Sequence, residues 1–415
     1  MIPAAWRLFE VTGVELEYMI VDAETLDVRP VADRLLRAAG AGEEAEVALG
    51  AISWSNELAL HVVELKTTEP VASLHGLAAR FDDSVRQANG LLAPLGARLM
   101  PSGMHPWMDP ERELRLWPHE QNVIYETFDR IFDCRGHGWA NLQSVHLNLP
   151  FADDEEFGRL HAAIRLVMAI VPALAASSPF ADGRATGLMD TRLEAYRHNA
   201  RRVPSVTGRV VPERVYTRAG YETRLLGTIY AALAPLDPEG VLRHEWVNAR
   251  GCIARFDRMA IELRVVDVQE SPAADLAVVA AISGAVRALA EKPGSDLDAQ
   301  RAWPEEPLEA IMLECIRDAD RARVTDPAYL QALGYPGSAP CTARELWLHL
   351  IEHACDRRST PEVDAFLRAY RDEGCLARRI AGAVGDVISR ERLRAVYGEL
   401  ADCLAEGRIF RPVAV

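Results

Sequence analysis

Lysine is nearly missing from this 415-residue chain: Lys66 and Lys292 are its only two. Cations that meet phosphate or carboxylate must therefore be mostly arginine, whose planar fork grips both in a bidentate way. The seven cysteines, at 134, 252, 315, 341, 355, 375 and 403, include no C-x-x-C pair. That spacing argues against a zinc site and a disulfide framework and points to a reducing compartment. No Gly-rich loop ends in Gly-Lys-Ser/Thr, no G-x-G-x-x-G follows a strand, and there is no G-x-S-x-G elbow. The opening MIPAAWRLFEV lacks the apolar stretch of a secretory leader, and the longest apolar run, Leu166 to Ala176, is too short to span a bilayer and contains Pro172. The expectation is a cytoplasmic protein with no membrane partner. A net charge of −15 and a pI near 5.3 argue against nucleic acid as a partner.

The length allows two or three domains. Residues 9–22 alternate as a strand, 31–39 read as a short helix, 57–67 as a strand and 73–93 as a helix with Leu74, Leu77, Ala78 and Phe81 on one stripe. Residues 101–122 read as a long ordered loop, 143–149 as a strand, and Asp153 and Asp154 open a long apolar helix to about Ala176. Residues 178–224 are polar and weakly periodic, the kind of long segment that often carries function. Helix returns near 222–234, a strand covers 259–268, and Asp275 to Glu291 is an apolar helix. The run EKPGSDLD, residues 291–298, has a linker composition, and 305–408 is almost all helical in pattern. Tight hairpin signals are few. The expected architecture is an α+β domain over 1–295 followed by a helical region over 296–415.

Four strand segments carry charge against their apolar surroundings. Glu15 and Glu17 lie two apart and so share a face, between Val14, Leu16, Tyr18 and Ile20. They form either a solvated strand face or a buried pair that needs a cation. Glu57 and Glu64 have opposite parity, so both can face one cleft only if Glu57 precedes the strand proper or a bulge intervenes. Read alone, they are carboxylates at strand ends, and Lys66 is a surface cation. His146 and Asn148 share a face in Ser144-Val-His-Leu-Asn148, where a histidine is either a hydrogen-bonded structural residue or a ligand. Glu262 and Arg264 share a face in Ile-Glu-Leu-Arg, as an internal ion pair or as metal and phosphate ligands. Together these segments supply five carboxylates and one imidazole, a set that suits Mg²⁺ or Mn²⁺ rather than zinc. Phosphoryl transfer needs such cations.

The set Glu15-x-Glu17, Glu57 with Glu64, Val145-His-x-Asn148 and Ile261-Glu-x-Arg264-Val-x-Asp267 resembles the glutamate–cysteine ligases. It is more similar to their second bacterial branch, which includes carboxylate–amine ligases. Gly103-Met-His-Pro106 and Ser177 to Phe180 followed by Gly187 and Arg192 add to the match. The resemblance implies a curved, mainly antiparallel sheet of saddle or funnel shape, related to glutamine synthetase, with helices outside. It also implies metal ligands at Glu15, Glu17, Glu57, Glu64, His146 and Glu262, with ATP as co-substrate. Arg264 and Arg255 would contact its phosphates, Arg192 and Asn148 the substrate, and Arg264 and Glu64 would be catalytic. The segment Arg255 to Met259 departs from the Arg-Pro form of the family. The long helical region after residue 300 leaves room for a role in homo-oligomer assembly or substrate choice.

The implied chemistry activates a carboxylate as an acyl phosphate and transfers it to an amine, most directly from glutamate to cysteine in glutathione biosynthesis. Three rivals stand beside it: another acid, amine or phosphoryl acceptor on the same scaffold, a metal-stabilised binding protein without turnover, and a metallohydrolase. The last would show closely spaced histidines, and His105, His119, His137 and His146 are not so arranged.

Overall fold

The computed structural model describes residues 6–411 apart from 43, 293, 338–339 and 355–360. Cys355 and Pro293 of the linker-like run thus lie outside the described residues. The strands that build the site are β1 (Gly13–Asp22), β2 (Glu46–Leu49), β3 (Ile52–Asn56), β4 (Val62–Thr67), β5 (Ala97–Met100), β6 (Ser144–Pro150), β7 (Cys252–Arg255) and β8 (Ala260–Asp267). They form one sheet in the order β2-β3-β4-β1-β6-β8-β7, with β5 added alongside the second half of β1. Its pairings are antiparallel throughout.

The antiparallel register decides which side chains meet, because residues directly opposite one another share a face. Glu15 lies between Lys66 of β4 and His146 of β6. Glu17 pairs with Glu64, which in turn pairs with Ser55. Asn148 lies between Gly13 and Glu262. The alternate residues, Val14, Leu16, Tyr18, Val63, Leu65, Val145, Leu147, Ile261 and Leu263, are sealed on the other face at 0–1% exposure. Helices Leu77–Leu92, Asp154–Met168 and Pro272–Ala290 belong to that covering layer. One face is thus an apolar core and the other a charged floor.

Pro272–Ala290 is long and apolar enough to cross a membrane by length and composition, yet most of it is buried against the rest of the chain. Ser271 caps its first turn by accepting from the Ala274 N–H, and proline at the first position suits a helix start. The helical region after residue 300 contributes Leu308, Met312, Tyr329, Trp347 and Tyr370 to the same apolar core as β1 and β6. Near the chain's end, buried Arg379 donates through Nη1 to the Phe410 carbonyl and to Glu270, three residues beyond β8.

Several expectations change, among them the linker-like run, where Gly294–Ala302 is a helix packed against Asp154–Met168. Residues 57–61 are a connection and only Val62–Thr67 is strand. The hairpin of β2 and β3 went unread. Its two-residue loop is Gly50-Ala51, where Gly50 takes φ +82°, a conformation glycine adopts without a Cβ clash. The helix opened at Asp154 stops at Met168 and a short one resumes at Val171, because Pro172 has no N–H to continue the ladder. Residues 101–122 contain a short helix at Pro110–Glu113.

Candidate active site

A single cavity lies over the charged face. Its wall includes Glu15, Glu17, Glu57, Glu64, Lys66, His146, Arg192, Arg255, Glu262 and Arg264. Glu57 gets there because β3 ends at Asn56, so it sits before β4 and escapes the parity conflict with Glu64. Asn148 does not line the cavity but supports it, donating Nδ2–H to Glu15 at 3.0 Å. Its Oδ1 is buried without a hydrogen-bond partner.

His146 is the centre of the acidic cluster. Its Nδ1 is 3.0 Å from Glu15 and 3.9 Å from Glu262, and its Nε2 is 3.0 Å from Ser144 Oγ and 3.5 Å from Glu17. Burial opposes a charge on the ring, but Glu17, Glu15 and Glu262 outweigh it and push the imidazole up to about 10. Glu17 also accepts from the Ser144 N–H and hydroxyl, at 2.7 and 2.9 Å. Glu64 accepts from Ser55 Oγ at 2.8 Å and pairs with Lys66 at 3.1 Å. Its burial and the charge on Glu15 push the carboxyl up to about 7, against the pull of Lys66. Burial, then Glu17 and Glu64, raise Glu57 well above the carboxylate range. Glu15 is held far below that range, since His146 and Lys66 overcome its burial.

Two triads here could share an ion, Glu15–His146–Glu262 and Glu17–Glu64–His146, each with donor atoms within 4.8 Å of one another. The fit to a hard divalent cation follows from the donors: carboxylate oxygens in excess, one imidazole, and crowded carboxyls at Glu57 and Glu64 whose ionisation is opposed by burial and by their acidic neighbours.

The arginines of the cavity wall are already engaged. Arg264 donates Nε–H to Glu262 at 2.6 Å and lies beside Tyr196. Arg255 reaches Glu262 through Nη1 at 3.2 Å and Asp257 through Nη2 at 3.1 Å. Glu262 therefore balances two guanidiniums, which burial alone would penalise heavily. Arg192 donates Nε–H to buried Asp267 at 2.5 Å and Nη2–H to the Arg264 carbonyl at 3.1 Å.

The remaining wall was not anticipated. Tyr125, Phe128, Trp139, Tyr196 and Trp246, with Leu58, Ala59, Val62, Leu142 and Val247, line the rest of the cavity. Rings among them pack on one another: Phe128 is 5.0 Å from Trp139 and 5.8 Å from Trp246 between centroids. No spacing rule marks these residues, because they come from separate short helices and the connections between them. Ser144 was readable, since it shares parity with His146. Arg258, an exposed residue, also lines the cavity.

The fold and the family match define a class, the ATP-dependent carboxylate–amine ligases. The model of glutamate–cysteine ligase family 2 matches residues 11–397, and the chain belongs to that family. An uncharacterized protein of Archaeoglobus fulgidus is 32% identical over 398 residues, covering 96% of this chain and 99% of its own. A Rubrobacter xylanophilus protein provisionally named glutamate–cysteine ligase 2-3 is 29% identical over 189 residues, covering 44% of this chain and 47% of its own. The crystal structure of a Francisella tularensis glutamate–cysteine ligase in complex with AMP superposes with a TM-score of 0.61 at 11% identity, covering 97% of this chain and 90% of that one. At that identity the likeness concerns the fold.

Proposed function

We propose that this protein uses ATP to convert a carboxylate to an acyl phosphate and then joins it to an amine, with glutamate and cysteine as the first pair to test. The observation that carries the reading is the meeting, in one cavity, of five carboxylates and His146 with Arg255 and Arg264, which join the acidic cluster through Glu262. An oxygen of the substrate carboxylate attacks the γ-phosphorus, and ADP leaves with the bridging oxygen. The amine nitrogen then attacks the acyl carbon, loses a proton, and inorganic phosphate leaves. Glu15, Glu17, Glu57, Glu64, His146 and Glu262 would hold Mg²⁺ or Mn²⁺, which lowers the charge repulsion at the phosphate oxygens when bound.

The chain's own contribution is positioning and fixed positive charge. Arg264 and Arg255 are set by Glu262 at the phosphate end, so their orientation does not have to be created when the substrate arrives. Arg192 and Asn148 hold the substrate side in this reading, Arg192 through the part of its guanidinium not given to Asp267. The buried thiols suit a reducing cytoplasm, and the partners are small molecules.

The aromatic wall favours a second reading, in which the amine carries a larger apolar group than the cysteine side chain. Phe128, Trp139 and Trp246 line the cavity, and an apolar group on the amine that covered them would add to binding. The deciding experiment incubates protein, ATP, Mg²⁺ and glutamate with cysteine or with a panel of aliphatic and aromatic amines. Phosphate release and product mass are recorded together. Phosphate release dependent on one amine, with the matching amide mass, supports the ligase. Absence of release with every acid and amine, together with no Mg-ATP binding by calorimetry, would sink it.

A further inference from the structure

We propose that Arg258 is the residue that captures an oxyanion of the incoming substrate. The argument begins with the cations of the cavity wall. Lys66 is held by Glu46 and Glu64 at 3.0 and 3.1 Å. Arg192 is held by Asp267, Arg255 by Asp257 and Glu262, and Arg264 by Glu262. His146 stands among Glu15, Glu17 and Glu262. Arg258 lines the same cavity; among the described residues its side chain makes no hydrogen bond and no ion pair within 4 Å, and the one carboxylate that senses its charge, the adjoining Asp257, is already bonded to Arg255. A guanidinium already matched to a carboxylate gives an arriving anion little new, because its old partner must be displaced or left unpaired. An unmatched one offers five donors and a full charge.

The backbone under Arg258 is fixed although its side chain is not. Residues 256–259 connect β7 to β8, with Arg255 paired to Ala260 across the turn. Phe256 is buried between Phe157 and Tyr221, at centroid distances of 5.3 and 5.6 Å. The Met259 carbonyl accepts from the Phe151 N–H at 3.0 Å, and the Arg258 N–H donates to the Arg255 carbonyl at 3.1 Å. Met259 takes φ +51°, a conformation uncommon for a residue with a side chain. A turn pinned on both sides and carrying an unmatched guanidinium to a cavity is preorganised for a ligand. Arg255 and Arg264 line the same cavity.

The ligand chemistry is an oxyanion, either the polyphosphate of a nucleotide or the carboxylate of an amino acid. The inference rests on the ligase reading only for which of these the cavity sees, since binding can be measured without turnover. The test is titration calorimetry of wild type, Arg258→Ala, Arg258→Lys and Arg224→Ala, an exposed arginine away from the cavity. The probes are magnesium tripolyphosphate, a non-hydrolysable ATP analogue with Mg²⁺, and L-glutamate.

Arg258→Ala should weaken at least one probe by about tenfold, equivalent to about 1.4 kcal/mol. Arg258→Lys should recover part of the loss, and Arg224→Ala should bind as wild type. Melting temperatures should match throughout, because no side-chain bond of Arg258 is lost. Loss of the phosphate probes alone identifies the polyphosphate, and loss of glutamate alone identifies the carboxylate. Wild-type affinities for all three probes in Arg258→Ala overturn the inference and leave the ligase reading standing. Failure of wild type to bind any of them overturns both.

Discussion

Asp267 holds Arg192 by an Nε–H to Oδ1 contact of 2.5 Å, and both side chains are sealed from solvent. The second oxygen of the same carboxylate accepts from the Ser177 N–H at 2.9 Å and Ser178 Oγ at 2.8 Å. Ser177 Oγ accepts from the Gly103 N–H at 2.8 Å, and a Cβ at Gly103 would lie 2.5 Å from the Asp267 carboxylate. Three sequence motifs that looked independent are therefore parts of one buried knot under the cavity. Asp267→Asn keeps the shape but removes the carboxylate bonded to Arg192, leaving Asp190 and Glu17 to offset its charge. It should cost about 3–5 kcal/mol of stability by urea unfolding. Gly103→Ala should cost about 1–3 kcal/mol by overpacking the same spot. A loss under 0.5 kcal/mol in either would show that the knot is not tight.

Removing acids from the site should separate stability from activity. Glu64→Gln and Glu262→Gln should both abolish turnover. Glu64 sits in a crowd of negative charge with its carboxyl raised to about 7, so the neutral amide relieves repulsion. At pH 8, without metal, Glu64→Gln should melt above wild type. Glu262 is the counter-charge of Arg255 and Arg264, so Glu262→Gln should melt below it. Differential scanning of both proteins in chelator checks this, and the same sign for both would contradict the charge assignment.

Acid should unfold the protein through histidines buried as neutral rings. Burial lowers His61 to about 4, and His105 and His161 to about 3. His105 Nε2 faces the Leu26 carbonyl at 2.7 Å while its Nδ1 accepts from the Trp107 N–H, so both nitrogens are occupied by a neutral tautomer. The folded state binds these protons later than the unfolded state does. Their stability is full above about pH 6.5 and declines as pH falls toward the folded values, by up to about 1.4 kcal/mol per pH unit and group. Unfolding free energy measured from pH 7 to 4.5 should fall steeply. His161→Gln should reduce that slope by close to one proton whatever its absolute stability; an unchanged slope would exclude His161 from the effect.

The aromatic wall gives a prediction about the amine. Trp246→Ala removes the ring that packs against Phe128 in the cavity wall. It should raise the KM for the amine by tenfold or more, about 1.4 kcal/mol, while the KM for the acid changes little. Initial-rate kinetics with each substrate varied in turn decide it, and equal changes in both KM values would place the ring elsewhere in the mechanism.

The charged strands were legible because a period of two is a strong signal when apolar residues flank acids, as around Glu15 and Glu17 and around Glu262. Cross-strand register was not legible: nothing in the sequence says that Glu15 stands opposite both Lys66 and His146. The condition placed on Glu57, that it precede its strand, is met in the fold. Its cause is the turn at 57–61, which looked like strand because it is apolar. The hairpin at Gly50-Ala51 escaped because β2 has only four residues and lacks a clean alternation. Phe128, Trp139 and Trp246 escaped for a different reason. They meet through tertiary packing of short helices and loops, for which no local pattern exists. The partnerless state of Arg258 is likewise a property of its neighbours, not of its own segment.

The described cysteines, Cys134, Cys252, Cys315, Cys341, Cys375 and Cys403, are all buried. Burial also pushes the Cys252 and Cys375 thiols up to about 12, so almost none is thiolate at neutral pH. They are spread from the segment that follows helix Asn122–Phe132, through β7, to the final helix. An alkylating reagent would therefore mark each region only when that region opens. The molecule carries its own set of stopwatches, one per layer, and residue-resolved labelling would give the order in which the cavity, the sheet and the C-terminal helices come apart.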